Sequence, residues 1–589
     1  MARDYLAIVG GSREDREIFA AASRSPIDES GLQPQLATET LTVWASENLP
    51  VRFLPDRRGL ILGAIFEAGV DAAPAAQGRS ATDGVLLSSA AARAELLADT
   101  HWGSYVAILS GEGERVDVIR DPMAGLPCYY LRVGQLTIIT SDAALPYRLT
   151  LTKAQINWPQ VIRHLARDQL RESSTCITGL KELLGGFRLT IESNRLALFQ
   201  LWDPWHFTED IRAIDDEDLA ISSLRQTLID CVSALASQDE HILLEVSGGL
   251  DSSILAACLS EADAPYSCIT FVTEDPRGDE RLYAQAVCQR FGVDLFERWE
   301  RVASVDITAS AAAHLPRPIS RSFAQSGDRN ALDVAAEVNA TAFYSGAGGD
   351  NVFCLLQSAA PVADRISRTG FSRASWRTAR DMAGIVDRPT GEVFLKGVRR
   401  YLRGQRAYRW PSDTAFLSRE AVSQIGEPDH PWLIPPNSAV PGKSAHIAWL
   451  LGIQNHLEGF GRERVHPVIS PLMSQPLVEC CLRIPTWLWC SNGVDRSIAR
   501  SAFRNELPES VIARRIKGTP GGFVAAIFEA NRGKIRDLLL SGHLASHHVL
   551  DVAKLDQALN VDGPVTGLSY MRIMALVDVE AWLDAWTNR

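Results

Sequence analysis

The sequence predicts an α/β and α+β protein of two domains. An antiparallel β domain with helices, residues 1–205, comes first; a parallel sheet with crossover helices and helical additions, residues 206–589, follows. Three observations predict it. At 589 residues the chain is too long for one core of the usual size. Between Tyr105 and Ile139 the short β-type runs YVAIL, VDVI, CYYL and LTII are separated by GEGE, RDPMAGLP and RVGQ, an antiparallel pattern. Further on, the apolar runs ILLEV, YSCITFV and ATAFYSG alternate with the helix-like SSILAACLSEA and ERLYAQAVCQRFG, which is how a parallel sheet with crossover helices reads.

The boundary between the two textures falls near residue 206. After FRLTIESNRLALFQLWDPW come acidic loop residues from Glu209 to Asp218, and then helical spacing in LAISSLRQTLIDCVSAL. From about Pro361 the chain reads as largely helical and carries an insertion-like basic stretch, Arg365 to Arg409, opposite in charge to the whole. A solvated helical face is the commoner meaning of such a stretch; an acidic partner or peptide is the other.

Composition narrows the function classes. Apolar content of 46% and charged content of 22% are those of a soluble globular protein. A net charge of −12 argues against general nucleic-acid binding. No apolar run is long enough to span a membrane, and Met1 to Glu17 carries Arg3, Asp4, Arg13, Asp15 and Arg16 around a short apolar patch, unlike a signal peptide. The ten cysteines are scattered without C-x-x-C pairs, as reduced thiols in a cytoplasmic protein would be.

The chemistry begins at LLEVSGGLDSSILAA, Leu243 to Ala257. A strand that enters a Gly-Gly turn opening a helix points backbone N–H groups and a helix N-terminus at one place, which favours a bound phosphate. The stretch Val246, Ser247, Gly248, Gly249, Leu250, Asp251, Ser252 and Ser253 is therefore the candidate nucleotide site. Asp251 would repel phosphate unless a hard cation lay between, so its expected role is as a Mg²⁺ ligand. It is not a Walker loop, whose spacing and lysine are both absent. A second turn, YSGAGGDN from Tyr344 to Asn351, again follows a strand and again ends in an aspartate. Ser345, Gly346 and Asp350 thus join the candidate site, with Asp251 and Asp350 flanking one Mg²⁺. Taken alone, the second turn would read equally well as a loop. Near the C-terminus LPESVIARRIKGTPGG sets Lys517 in a Gly-rich segment that can swing over a site; without a phosphate site nearby it would read as a solvated basic helix end.

These residues together resemble the class B asparagine synthetase superfamily. The likeness includes Ser247 to Ser252, the acidic pair Asp279 and Glu280, the SGAGGD turn and the LPESVIARRIKG tail. In the N-terminal half WGSYVAIL, IRDPMAGLPCYY, LTIITSD and LKELLGGFRLTI resemble the glutaminase-type domain of these enzymes. The resemblance implies an Ntn-type N-terminal fold and a PP-loop ATP pyrophosphatase fold, adenine nucleotide α-hydrolase-like, for the synthetase domain. It also implies ATP and Mg²⁺ as cofactors. Adenine is expected near Val246 and from Thr270 to Val272, at the ends of neighbouring strands, although core packing alone would explain those residues.

Departures from the family pattern guide the subfamily. Asparagine synthetases depend on cysteine directly after the initiator methionine; here that position is Ala2, so glutamine should not be hydrolysed. Ala347 and Asn351 stand where relatives place other residues, so the acid-base dyad of β-lactam synthetases does not carry over. The stretches LWDPW, GAGGDNVFCLLQSAA and HPVISPLMSQPLVECCLRIPTWLW resemble lasso peptide cyclases. That resemblance implies adenylation of an Asp or Glu side chain in a precursor peptide, then macrolactam closure by its N-terminal amine. A leader peptidase and a leader-recognition protein are the implied partners. Lys517 is expected to stabilise the transition states, and Glu458, His456 or His466 to supply a modest base; taken singly, each of these three reads more readily as an ordinary interdomain polar residue. Two alternatives remain: an asparagine synthetase- or β-lactam synthetase-like enzyme acting on a small molecule, and a non-catalytic ATP-binding subunit, against which the presence of Asp251, Asp350 and Lys517 argues.

Overall fold

The computed structural model describes residues 3–68, 90–150, 152–167, 170–192, 195–404, 407–515, 518, 521–560 and 569–588. Ala2 and Lys517, both singled out by the sequence, lie outside the described residues.

The first part is built from two six-stranded antiparallel sheets. One centres on Tyr5–Val9, which pairs with Leu41–Ser46 on one side and Leu136–Thr140 on the other. The second centres on Val116–Arg120 and His101–Ser110, flanked by Phe187–Glu192 and Gly59–Glu67. Alternation along the strands sorts their side chains. Tyr5, Ala7 and Val9 face Leu60, Leu62, Val106 and Ile108 in a shared inter-sheet core. Their neighbours Leu6 and Ile8 face outward, onto Phe19 and Ile27 of the helices Arg13–Ala22 and Arg24–Glu29. On the far side Ile61 and Tyr105 meet Ala94 and Leu97 of the helix Ala90–Thr100. Period-two patterning on both faces of both sheets therefore yields four layers, with helices outermost.

The second part holds a five-stranded sheet ordered Leu295–Trp299, Tyr266–Val272, Ile242–Glu245, Ala342–Tyr344, Val468–Ile469, with every pairing parallel. The central strand is apolar from Ile242 to Leu244 because helices cover both faces, and it ends in Glu245. Leu243 packs on Val334 and Ala335 of the helix Gln325–Val338, while Ile242 and Leu244 join the large core with the helices Glu217–Ala236 and Leu250–Glu261. The two-residue strand Val468–Ile469 gave no periodicity to read in advance.

Two departures from expectation concern the helices. Among the described residues one helix, Glu217–Ala236, is long and apolar enough to cross a membrane, contrary to the expectation that no segment is. Its apolar stripe, Ala220, Leu224, Leu228 and Val232, is buried in the core of the parallel-sheet domain. The helix Trp158–Ala166, N-terminal to the expected boundary, buries Val161, Ile162 and Leu165 among the C-terminal helices Gly521–Ser541 and Ser569–Thr587. All ten cysteines are free and buried.

Candidate active site

The carboxyl ends of the three middle strands converge on a cavity of about 300 Å³. Its wall includes Glu245, Val246, Ser247, Gly249, Asp251 and Ser252 from the first turn. Thr270 and Phe271 come from the neighbouring strand, and Ser345, Gly346 and Ala347 from the second turn. Parallel strands entering helices deliver turns to one edge of a sheet, so residues far apart in sequence meet there.

The Gly-Gly turn folds back on itself. Gly248 adopts φ +63°, and a Cβ there would sit 2.1 Å from Cβ of Tyr283, so both conformation and space demand glycine. The Gly249 N–H donates to Ser247 Oγ at 3.3 Å, and the Ser247 N–H donates to Ser252 Oγ at 3.3 Å. Ser253 Oγ donates to the Gly249 carbonyl at 2.7 Å, which turns it away from the cavity. Leu250 belongs to the apolar core, and Val272 is fully buried behind Thr270 and Phe271; neither these two nor Gly248 lines the cavity.

The two aspartates do come together. Nη1 of Arg496 lies 3.0 Å from Asp251 Oδ1 and 2.6 Å from Asp350 Oδ1, so one guanidinium serves both carboxylates. Gly349 makes this approach possible, since a Cβ there would stand 2.3 Å from Asp251 Cγ. Burial opposes the Arg496 charge, but Asp251, Asp350 and Asp495 outweigh it and hold its pKa above the ordinary value. Among the described residues no group of three His, Cys, Asp or Glu is set to hold a metal. Two carboxylates already sharing a cation fit Mg²⁺, which commonly takes one or two carboxylates and completes its shell with water and phosphate oxygens.

The tail flanking Lys517 is anchored beside the first turn. Arg514 donates to the Ser247 carbonyl at 3.2 Å and to Glu280 Oε1 at 2.5 Å, and stacks over Tyr283 at 4.1 Å. The Gly518 N–H also donates to Glu280 Oε1, at 3.0 Å. Asn351 donates to the Trp449 carbonyl at 2.7 Å.

Glu458 is not among the residues that line the cavity. Arg317 bonds its carboxylate, and Arg171 lies 3.3 Å away. Both arginines also hold Glu182, which is fully buried and bonded by Arg120 at 2.8 Å. Burial alone would raise the Glu182 pKa, but three guanidiniums hold it well below the ordinary carboxylate range. His456 is pushed down to about 4 by burial and by Arg321, and His466 is lowered by burial.

Sequence reasoning missed Arg496 and Arg514. Arg514 was visible beside Lys517 in a noted motif. Arg496 is one of 59 Lys and Arg residues, and nothing in GVDRS marks it.

A glycine turn that opens a helix beside two carboxylates sharing one cation suits a phosphate ester with a hard cation, in an enzyme of the α/β class. The chain belongs to the asparagine synthase family, which matches residues 223–425 and 466–586, more than half its length. That membership supports an ATP-dependent, amide-forming carbon–nitrogen ligase. Comparison with curated proteins finds no match. Among solved structures, one described as the allosteric regulatory enzyme of purine biosynthesis overlaps 51% of this chain and 75% of its own, at 10% identity and a TM-score of 0.21. Glutamine phosphoribosylpyrophosphate amidotransferase from B. subtilis, complexed with ADP and GMP, overlaps 67% and 93% at 12% identity and a TM-score of 0.22. Scores this low carry no argument about fold or activity.

Proposed function

We propose that the protein is a lasso peptide cyclase that adenylates an Asp or Glu side chain of a precursor peptide and closes a macrolactam with the core N-terminal amine. The observation that carries the adenylating step is the meeting of Asp251 and Asp350 at the ends of adjacent parallel strands, beside the SGGLDSS turn. The peptide assignment rests on the sequence likeness of LWDPW, GAGGDNVFCLLQSAA and the His466 to Trp489 stretch, together with Ala2.

A carboxylate is a poor acylating agent because its leaving group would be oxide, so it must be activated. A substrate carboxylate oxygen attacks the α-phosphorus of ATP and pyrophosphate leaves. The amine nitrogen then attacks the acyl carbon, AMP departs with one carboxylate oxygen, and the nitrogen sheds a proton. Backbone N–H groups of the turn and the Ser247 and Ser252 hydroxyls hold the departing pyrophosphate, and Lys517 stabilises developing charge. When bound by Asp251 and Asp350, Mg²⁺ supplies charge neutralisation at the phosphates. An α-amine with a pKa of about 7.7 to 8.0 is partly neutral near pH 7.5 and needs only a modest base. In this reading the four-layer N-terminal part is an Ntn-type domain without its nucleophile, the parallel-sheet part is a PP-loop domain, and the boundary lies at 205/206. A leader peptidase and a leader-recognition protein deliver the peptide.

The test combines precursor peptide, peptidase, recognition protein, ATP and Mg²⁺. A product one water lighter that resists carboxypeptidase beyond the ring, with AMP and pyrophosphate formed, is expected. ADP and phosphate would overturn adenylation. A free amide made from ammonia and a small acid, with the peptide left linear, would move the protein to the small-molecule synthetases.

A further inference from the structure

We propose that the outer face of the three-helix unit formed by Ala360–Thr369, Arg373–Val386 and Thr390–Leu402 docks an acidic polypeptide bearing apolar side chains. This goes beyond the reaction proposed above and does not depend on it.

Charge is the first observation. Residues 365–409 hold twelve Lys or Arg against three Asp or Glu, in a chain of net charge −12. The acids do little to neutralise that surface. Asp381 is buried and Glu392 is held by Lys396 at 2.7 Å, which leaves Asp387. Arg373, Arg388, Arg399 and Arg403 are exposed and have no ion-pair partner among the described residues.

The second observation is what lies between those charges. Phe371 is 64% exposed and Leu402 is 70% exposed, with Trp376 and Leu395 also on the surface. The ring pair Trp376–Phe394, at 5.1 Å, ties the second helix to the third, and Phe371–Tyr401, at 6.0 Å, ties the connection ahead of the second helix to the third. On the second helix Arg373, Trp376, Arg377 and Arg380 fall on one stripe, and on the third Leu395, Arg399 and Leu402 do. Rigid aromatics interleaved with arginine are the composition of protein-binding surfaces. Nucleic acid and anionic membranes match the patch in sign, but they would meet repulsion from the acidic remainder of the chain. A short acidic segment would touch only the patch.

The third observation places this face next to the site. Arg377 donates to Asn492 Oδ1 at 3.3 Å. Asn492, Gly493 and Arg496 take φ of 61°, 71° and 51°, so the segment carrying Arg496 is held in left-handed conformations. Met382 and Ile385 of the second helix line a small cavity together with Asp495 and Arg496. A partner docked on this unit would abut the segment that bears the shared guanidinium.

The test uses full-length protein and a fluorescein-labelled peptide of Glu-Glu-Leu-Phe repeats, followed by anisotropy. Binding is expected, at least tenfold weaker for the same peptide with Gln in place of Glu, and weaker at high salt. Arg373→Glu, Arg399→Glu and Arg403→Glu combined should weaken it at least tenfold while the melting curve is retained. Leu395→Ser with Leu402→Ser, both exposed, provides an independent variant expected to weaken it severalfold. Equal binding of the Gln peptide, or indifference to both variants, would overturn the proposal. So would tighter binding of phosphatidylserine vesicles or single-stranded RNA than of the Glu peptide.

Discussion

Arg496 reaches Asp350 at 2.6 Å, and the same nitrogen holds Asp251 at 3.0 Å. A cation thus already stands between the two carboxylates that the chemistry would have share a metal. Arg496 both compensates their mutual repulsion and competes with a metal for them.

Arg496→Met should therefore separate metal binding from turnover. With the competing guanidinium gone, Mn²⁺ titrated without nucleotide should bind about tenfold more tightly, since a charge-assisted hydrogen bond contributes about 1.5–3 kcal/mol. AMP-forming turnover should nevertheless fall, by roughly 10²-fold or more, because a cation near the phosphates is lost. Unchanged Mn²⁺ affinity would show that the guanidinium does not occupy the metal position.

Gly349→Ala tests the approach of the two turns. The new methyl would stand 2.3 Å from Asp251 Cγ, so either the turn or Asp251 must shift. Overpacking of this kind costs about 1–3 kcal/mol. Pyrophosphate release should drop steeply while the melting temperature falls by a few degrees; retained activity would mean that Asp251 need not be held where it is.

The contrast between Asp251 and Arg496 shows what could be read in advance. Asp251 sits in a strand, turn and helix of contiguous residues, where apolar runs, paired glycines and serines each have a local meaning. Arg496 acquires its role from partners 245 and 146 residues away, and tertiary packing alone supplies them. The same distinction runs through the fold. Tyr266–Val272 was visible as a seven-residue apolar strand, whereas Val468–Ile469 is two residues long and gains its place by pairing with Ala342–Tyr344. Glu458 lay in a segment read as a possible source of a base, and the arginines from both halves that surround it could not be inferred from its neighbours in the chain.

A buried acid makes stability depend on pH. Burial raises the Asp578 pKa to about 7, against hydrogen bonds from Ser322, whose N–H donates at 3.0 Å. Between about pH 4 and pH 7 the folded protein keeps a proton that the unfolded chain releases, so the unfolded state binds fewer protons and stability falls as pH rises. Asp578→Asn keeps an acceptor for the Ser322 N–H and removes the titration. Melting curves should coincide at or below about pH 4 and separate progressively up to about pH 7, with the variant the more stable. A wild type that gains stability relative to the variant over that interval would reverse the assignment.

The ion cluster around Glu182 makes a prediction about how the two halves unfold. Arg120, Arg171 and Glu182 come from the antiparallel part, and Arg317 and Glu458 from the parallel-sheet part. Arg317 is central: it bonds Glu182 Oε2 at 2.6 Å, Asn455 Oδ1 at 3.1 Å and Glu458. Removing one partner from a buried cluster leaves charge uncompensated and costs about 3–5 kcal/mol, more than the pair itself adds to stability. Arg317→Met should therefore lower the urea midpoint markedly and divide a shared transition into two, as the halves lose their charged junction. The double variant Arg317→Met with Glu458→Gln should recover part of the loss, because it also removes a carboxylate left with one guanidinium fewer. A single transition with an unshifted midpoint would mean that the apolar packing of Trp158–Ala166 on the C-terminal helices couples the halves, and that the ion cluster does not.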